Sequence, residues 1–156
     1  MLRRGYLALV MIGCTCPWFA GFVLSADPEQ QSQEFGGRVV SMAALLKEAG
    51  ATPDTDVETL LLALVQKDGS IKPILKDAGS RMFFKDRQLL DRPVILRGRL
   101  VGRTPYLQVF QVFTIVQGRR HEPFYWCDIC KIKRFEPNAC DCCGAPLEFR
   151  EEPVDR

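Results

Sequence analysis

The spacing of apolar residues changes several times along the chain, and each change predicts a different element. A nearly uncharged run over residues 6–26 comes first. The polar, glutamine-rich DPEQQSQEFGG of residues 27–37 follows, and its closing Gly pair predicts a flexible linker. Val39, Met42, Ala43 and Leu46 then recur with a helical period, with Gly50 placed to stop the turn, so a short amphipathic helix is expected over 38–49. Thr55 with Glu58 three residues later has the form of a capping box. Residues 60–66 are nevertheless read as a strand, because Lys67-Asp68-Gly69-Ser70 is a turn signal and 71–75 is its natural return strand. The mixed stretch 76–91 predicts a short helix ending near Leu90.

The clearest β pattern begins at Pro93. Val94, Leu96 and Leu100 alternate with Ile95, Arg97, Arg99 and Val101, and Gly102-Arg103-Thr104-Pro105 turns the chain into a strand over 106–116. A second turn at Gln117-Gly118-Arg119 leads into a third strand reaching Trp126. The middle strand is apolar on both faces, with Leu107, Val109, Phe113 and Ile115 on one and Tyr106, Phe110, Val112 and Val116 on the other. A strand covered on both sides belongs inside a barrel, a lidded sandwich or an interface. The expected fold is mainly β with short helices (α+β): a small OB-like, partly closed barrel over 38–126 with an N-terminal helix, then a cysteine-rich, zinc-ribbon-like tail over 127–153.

Composition changes the reading of the N-terminus. Arg3 and Arg4 precede the apolar run, and Ser25-Ala26 stands just before a polar segment, the layout of an export signal peptide cut after Ala26. The run is also long enough to stay as a membrane anchor, and Met11-Ile12-Gly13-Cys14 leaves a lipid-modified Cys14 open. Either way the folded part is expected outside the cytoplasm, in the periplasm or on the cell envelope. The 156-residue chain carries a formal charge of +2. Removing residues 1–26 takes two basic and no acidic residues and leaves a neutral protein. Nucleic acid is therefore not an expected partner. An unknown protein or small ligand is, and the membrane is met only through the N-terminal segment if that is uncleaved.

Five of the seven cysteines lie between residues 127 and 143, spaced C-x2-C-x9-C-x-C-C. Disulfides between such near neighbours close short loops and remove little unfolded-state entropy. Four thiolates instead complete a tetrahedral metal site. Cys140-Asp141-Cys142-Cys143-Gly144 resembles the second knuckle of zinc ribbons, and Cys127-Asp128-Ile129-Cys130 resembles the first, with Lys131 where glycine is usual and Asp128 where proline is. The resemblance covers residues 124–149 and implies Cys127, Cys130, Cys140 and Cys143 as zinc ligands, leaving Cys142 as an alternative ligand or spare thiol. A pairing of Cys142 with Cys143 is similar to desulforedoxin and implies iron, which four thiolates also accept. Two disulfides with one free cysteine, and a redox dithiol, stay open as further readings.

Other chemistry is sparse. His121 is the single histidine, no catalytic set can be built around it, and neither a phosphate-binding glycine loop nor a haem-attachment motif is present. Arg97, Arg99, Arg103, Arg119 and Arg120 form a candidate basic patch. Together DAGSRMFFKD (77–86), RPVILRGRL (92–100), YWCDIC (125–130) and CDCCGAPLEFREEP (140–153) resemble an uncharacterised family of exported bacterial proteins with a small β-domain and a cysteine-rich end. That resemblance implies the architecture and no activity. The expected function is non-enzymatic: an extracytoplasmic binding or assembly protein with a structural zinc site. The alternative is a functional site for iron electron transfer or for Zn or Cu(I) handling.

Overall fold

The computed structural model describes residues 32–154, so the signal or anchor over 1–26 and residues 27–31 of the expected linker lie outside the described residues. The chain forms an antiparallel sheet with short helices at its edges. Its strands are β1 (Gln33–Ser41), β2 (Leu62–Gln66), β3 (Ile71–Pro73), β4 (Pro93–Leu100), β5 (Leu107–Val116), β6 (Arg119–Cys127), β7 (Ile132–Arg134) and β8 (Glu148–Pro153). Helices α1 (Met42–Glu48) and α2 (Val57–Leu60) lie between β1 and β2, and α3 (Arg81–Lys85) with a 3-10 turn at Arg87–Leu89 lies between β3 and β4. Among the described residues no helix is long and apolar enough to cross a membrane.

The sheet runs in the order β3-β2-β1-β4-β5-β6-β7. Ile74, directly after β3, makes a parallel bridge to Leu107 at the start of β5, and the Leu75 amide donates to the Leu107 carbonyl at 2.9 Å. The first five strands therefore form a circuit that returns to its starting edge. Its interior is filled by Phe35, Val39, Leu64, Leu96, Leu107 and Val109, with Met82 and Phe83 of α3 and Leu89 of the 3-10 turn packed into the same cluster.

Two expectations fail at the N-terminal end. Residues 33–37, read as linker, and 38–41, read as the start of a helix, are one strand; the helix begins only at Met42. Ser41 makes the change of period, since its hydroxyl accepts from the Ala43 amide at 3.2 Å and caps α1. The capping box at Thr55 does not form: α2 starts after Asp56 without a side-chain cap and ends at Leu60, so β2 begins two residues later than expected.

The meander β4-β5-β6 occupies the predicted segments, but the face assignment along β5 changes midway. Arg97 pairs with Gln111 and Gly98 with Val109, which leaves Phe110 as an extra residue in a β-bulge. Leu107 and Val109 point into the core before the bulge, while Val112 and Thr114 are the buried positions of that side after it. Phe113 moves to the outer face, where the Arg120 guanidinium stands 5.7 Å from its ring. Leu100, expected to share a face with Val94 and Leu96, is 42% exposed at the strand end.

Strand β6 joins the circuit to the tail. His121 pairs with Thr114 of β5 on one edge and Pro153 of β8 on the other, and residues 125–127 pair with β7 on the β5 side. The junction is tied by a polar contact: Glu151 of β8 accepts from the buried Thr114 hydroxyl and from Arg92 at 2.8 Å. The cysteine-rich end is thus continuous with the sheet.

Candidate metal centre

Cys127 is the last residue of β6 and is fully buried. The chain turns over Asp128 and Ile129, and the Cys130 amide points back to the Cys127 sulfur at 3.4 Å. Lys131 follows at φ 56°, and its amide donates to the Cys127 carbonyl at 2.8 Å before β7 returns along β6. The second knuckle repeats this construction. Gly144 has φ 73° and its amide donates to the Cys140 carbonyl at 2.8 Å, while the Cys140 amide donates to the Ala145 carbonyl at 2.8 Å. Both knuckles need a left-handed residue after the second cysteine, and Lys131 adopts the conformation that Gly144 adopts without a Cβ penalty.

Lys131→Gly is accordingly expected to stabilise the folded protein by about 0.5 to 1 kcal/mol, the relief of left-handed strain less the added chain entropy of glycine. The Lys131–Asp128 ion pair lost with it is well exposed on both sides and offsets little of this gain. Denaturant unfolding of the metal-loaded protein measures the difference, and a loss of stability greater than about 1 kcal/mol contradicts the account.

The two knuckles bring Cys127, Cys130, Cys140 and Cys143 together with all four sulfurs within 4.8 Å of one another. The Cys127 and Cys143 sulfurs are 3.6 Å apart. None of the described cysteines forms a disulfide. A tetrahedral thiolate site with arms of about 2.3 Å has edges of about 3.8 Å, so the four sulfurs stand at a spacing that fits one metal ion. The amides of Cys143 and Cys142 point at the Cys140 sulfur and bring its thiol down to about 7. Contact with the Cys142 thiol, then with Cys143, holds the Cys130 thiol above its ordinary value. A cation held by Cys127, Cys130, Cys140 and Cys143 would favour their deprotonated form. Cys142 is exposed and lies outside the four.

The surroundings hold both knuckles against the sheet. The 135–139 loop docks on α3 through Glu136, which receives Arg81 and Lys85, each at 2.8 Å, and Lys85 also reaches Asn138 at 3.1 Å. Lys85, with Arg81 adding to it, keeps the Glu136 carboxyl below the usual carboxylate range against the opposing effect of burial. Tyr125, two residues before Cys127, donates to Asp86 at 2.5 Å and packs on Phe149. Trp126 donates to Asp128 inside the first knuckle while Arg150 stands 5.4 Å from its ring. Cys127 and Cys140 are buried beneath these flanks of the sheet's end, and Cys143 faces solvent.

Among the described residues this is the one group of three or more His, Cys, Asp or Glu side chains placed to hold an ion. His121 is nearly buried, with its Nδ1 3.1 Å from the Arg119 carbonyl oxygen. The expected arginine patch divides: Arg120 forms two bonds of 2.7 Å to Glu34, whereas Arg97 and Arg99 lie on β4 and Arg103 in the turn that follows it. The docking of Glu136 on α3 joins residues up to 55 positions apart and has no local signature in the sequence. No family model matches the sequence, and no curated protein or solved structure is significantly similar to it.

Proposed function

We propose that the protein is a non-enzymatic binding or assembly module of the cell envelope, an OB-like barrel whose C-terminal edge is held by a structural zinc ion. The observation that carries this is the closed set of four cysteine sulfurs at the end of β6. Four protein thiolates leave no open coordination position for water or substrate, which is the arrangement of structural rather than catalytic zinc. When bound, zinc supplies a charge that keeps the four thiols deprotonated and cross-links two turns. Cys127 and Cys140 hold it from the protein side, Cys130 and Cys143 from the outside.

The circuit of five strands closed by the Ile74–Leu107 bridge supports the OB-type barrel. The binding role is supported by a groove of about 840 Å³ on its outer face, whose lining includes Gly36, Arg38, Val65, Lys67, Ile95 and Ile115. The envelope address rests on the sequence of residues 1–26 alone.

The exposed Cys142 beside the four ligands favours a second reading, transient handling of Zn or Cu(I) or iron electron transfer, in which this thiol takes part in exchange. Native mass spectrometry with elemental analysis, on protein taken from its own compartment, separates the two. One zinc with five reduced thiols is the expected result. A red, iron-loaded protein favours electron transfer. A metal-free chain with the mass of two disulfides overturns the zinc site.

A further inference from the structure

Three arginines follow one another from the start of the described chain, where Arg97 meets Ser32, to the β4–β5 turn. Arg97 and Arg99 alternate with the buried Leu96 and Gly98 and so share the outer face of β4, and Arg103 is exposed at the β4–β5 turn. None of the three forms an ion pair among the described residues: Arg97 donates to the Ser32 hydroxyl at 3.0 Å and Arg99 to Gln108 at 3.1 Å. The acidic side chains nearest them are engaged, Glu34 by Arg120 and Asp77 by its own loop and Gln108. Leu100 and Tyr106 flank the turn and are 42% and 38% exposed. The result is a cationic tip with an aliphatic and an aromatic side chain beside it.

The N-terminal end of β1 points at the same tip. Gln33 pairs with Gly98 in an antiparallel register, so β1 followed backward runs toward the β4–β5 turn. The apolar run of the sequence ends at Ala26, and residues 27–32 span at most about 20 Å. A chain that keeps this run in a bilayer therefore holds Ser32, which receives Arg97, within about 20 Å of the lipid surface, with β1 directed from there toward the turn.

We propose that the β4–β5 turn, with Arg97, Arg99 and Arg103, is a membrane-facing surface that docks on anionic phospholipid headgroups. Guanidinium groups near a bilayer are drawn to anionic lipid, and an apolar anchor joined to a basic patch gives a more durable attachment than either alone. Tyr106 and Leu100 suit the headgroup boundary, where amphipathic rings collect. This inference rests on the envelope address proposed above in the form that keeps the N-terminal run as an anchor.

The test reconstitutes the full-length chain in vesicles of phosphatidylcholine alone and in vesicles with about a third phosphatidylglycerol. Hydrogen exchange is followed at Gly102 and Arg103, whose amides form no hydrogen bond among the described residues. Exchange on the order of tenfold slower in the anionic vesicles is expected, reversed at about 1 M salt, where the Debye length falls to about 3 Å. Combined R97Q, R99Q and R103Q substitution is expected to lower tip–lipid association on the order of a hundredfold and to restore fast exchange, while exchange across β1 to β6 stays unchanged as a control for folding.

Equal rates in the two vesicles, or slow exchange that survives the triple substitution, overturn the inference with the chain still membrane-bound. Protection by a single-stranded oligonucleotide or an acidic peptide without lipid assigns the tip to another partner and overturns it too. A chain that floats with neither vesicle overturns the inference and the reading of residues 1–26 as a retained anchor, and leaves the envelope address standing through a cleaved signal.

Discussion

Serine at Cys127 or Cys140 is expected to abolish metal binding and unfold the segment from Asp128 to Leu147 while the five-stranded circuit stays folded. Both cysteines are buried, and each is the first residue of a knuckle whose carbonyl accepts the amide of the left-handed residue that closes it. Short metal loops have little core of their own, so binding free energy and folding free energy of such a loop are the same quantity. The expected cost to the tail is several kcal/mol, read as near-complete loss of exchange protection in β7 and over 135–146. The five-stranded circuit resists because β1 to β5 close on one another without the tail, and because β8 pairs with β6 along six residues. Cys142→Ser is the matched control: its thiol lies outside the four, so metal stoichiometry and stability stay unchanged. Loss of the metal on that change removes Cys142 from the role of spare thiol and defeats the ligand assignment.

The same contrast explains how far the site could be read from the chain. The pair Cys127/Cys130 and the pair Cys140/Cys143 are local signals, because a C-x2-C turn fixes its own geometry within a few residues. What holds those turns in place is not local. Tyr125 meets Asp86 and Glu136 meets Arg81 only after β6 has brought the tail over α3. In the fold, β4 was legible from its period-two alternation between turn residues, and β6 from the Gln117-Gly118 turn that leads into it. The inner faces of β5 were not, because the bulge at Phe110 inverts the alternation without a residue that announces it. Strand β1 was hidden for a different reason. Its inward positions are Phe35, Gly37 and Val39, and a glycine in the middle erases the alternation that marks a half-buried strand. The next apolar residues, Met42, Ala43 and Leu46, belong to α1 and extend a helical period backward over Val39.

Gly37→Ala, a change of one methyl group in what resembles a linker, is expected to destabilise the protein by about 3 kcal/mol. Gly37 is where β1 passes between its partners, pairing with Gln66 of β2 and Val94 of β4. A Cβ at this position meets the Val65 carbonyl oxygen at 2.3 Å and the Leu64 side chain at 3.1 Å. The first obstacle is backbone, so no rotamer change relieves it; β2 has to move away from β1. That movement loosens the contact of Leu64 with Val39 and Phe35 at the centre of the core, since packed interiors transmit such displacements. Gly36 supplies the comparison. It faces outward into the groove, and a Cβ there meets nothing within 4 Å, so Gly36→Ala is expected to shift stability by less than about 0.5 kcal/mol. Denaturant unfolding of the two variants beside the parent decides the matter. Equal effects at the two positions mean that residues 33–41 do not form the central strand, whereas a large loss at Gly37 alone identifies that glycine as the close approach that lets β1 pair with β2 and β4 together.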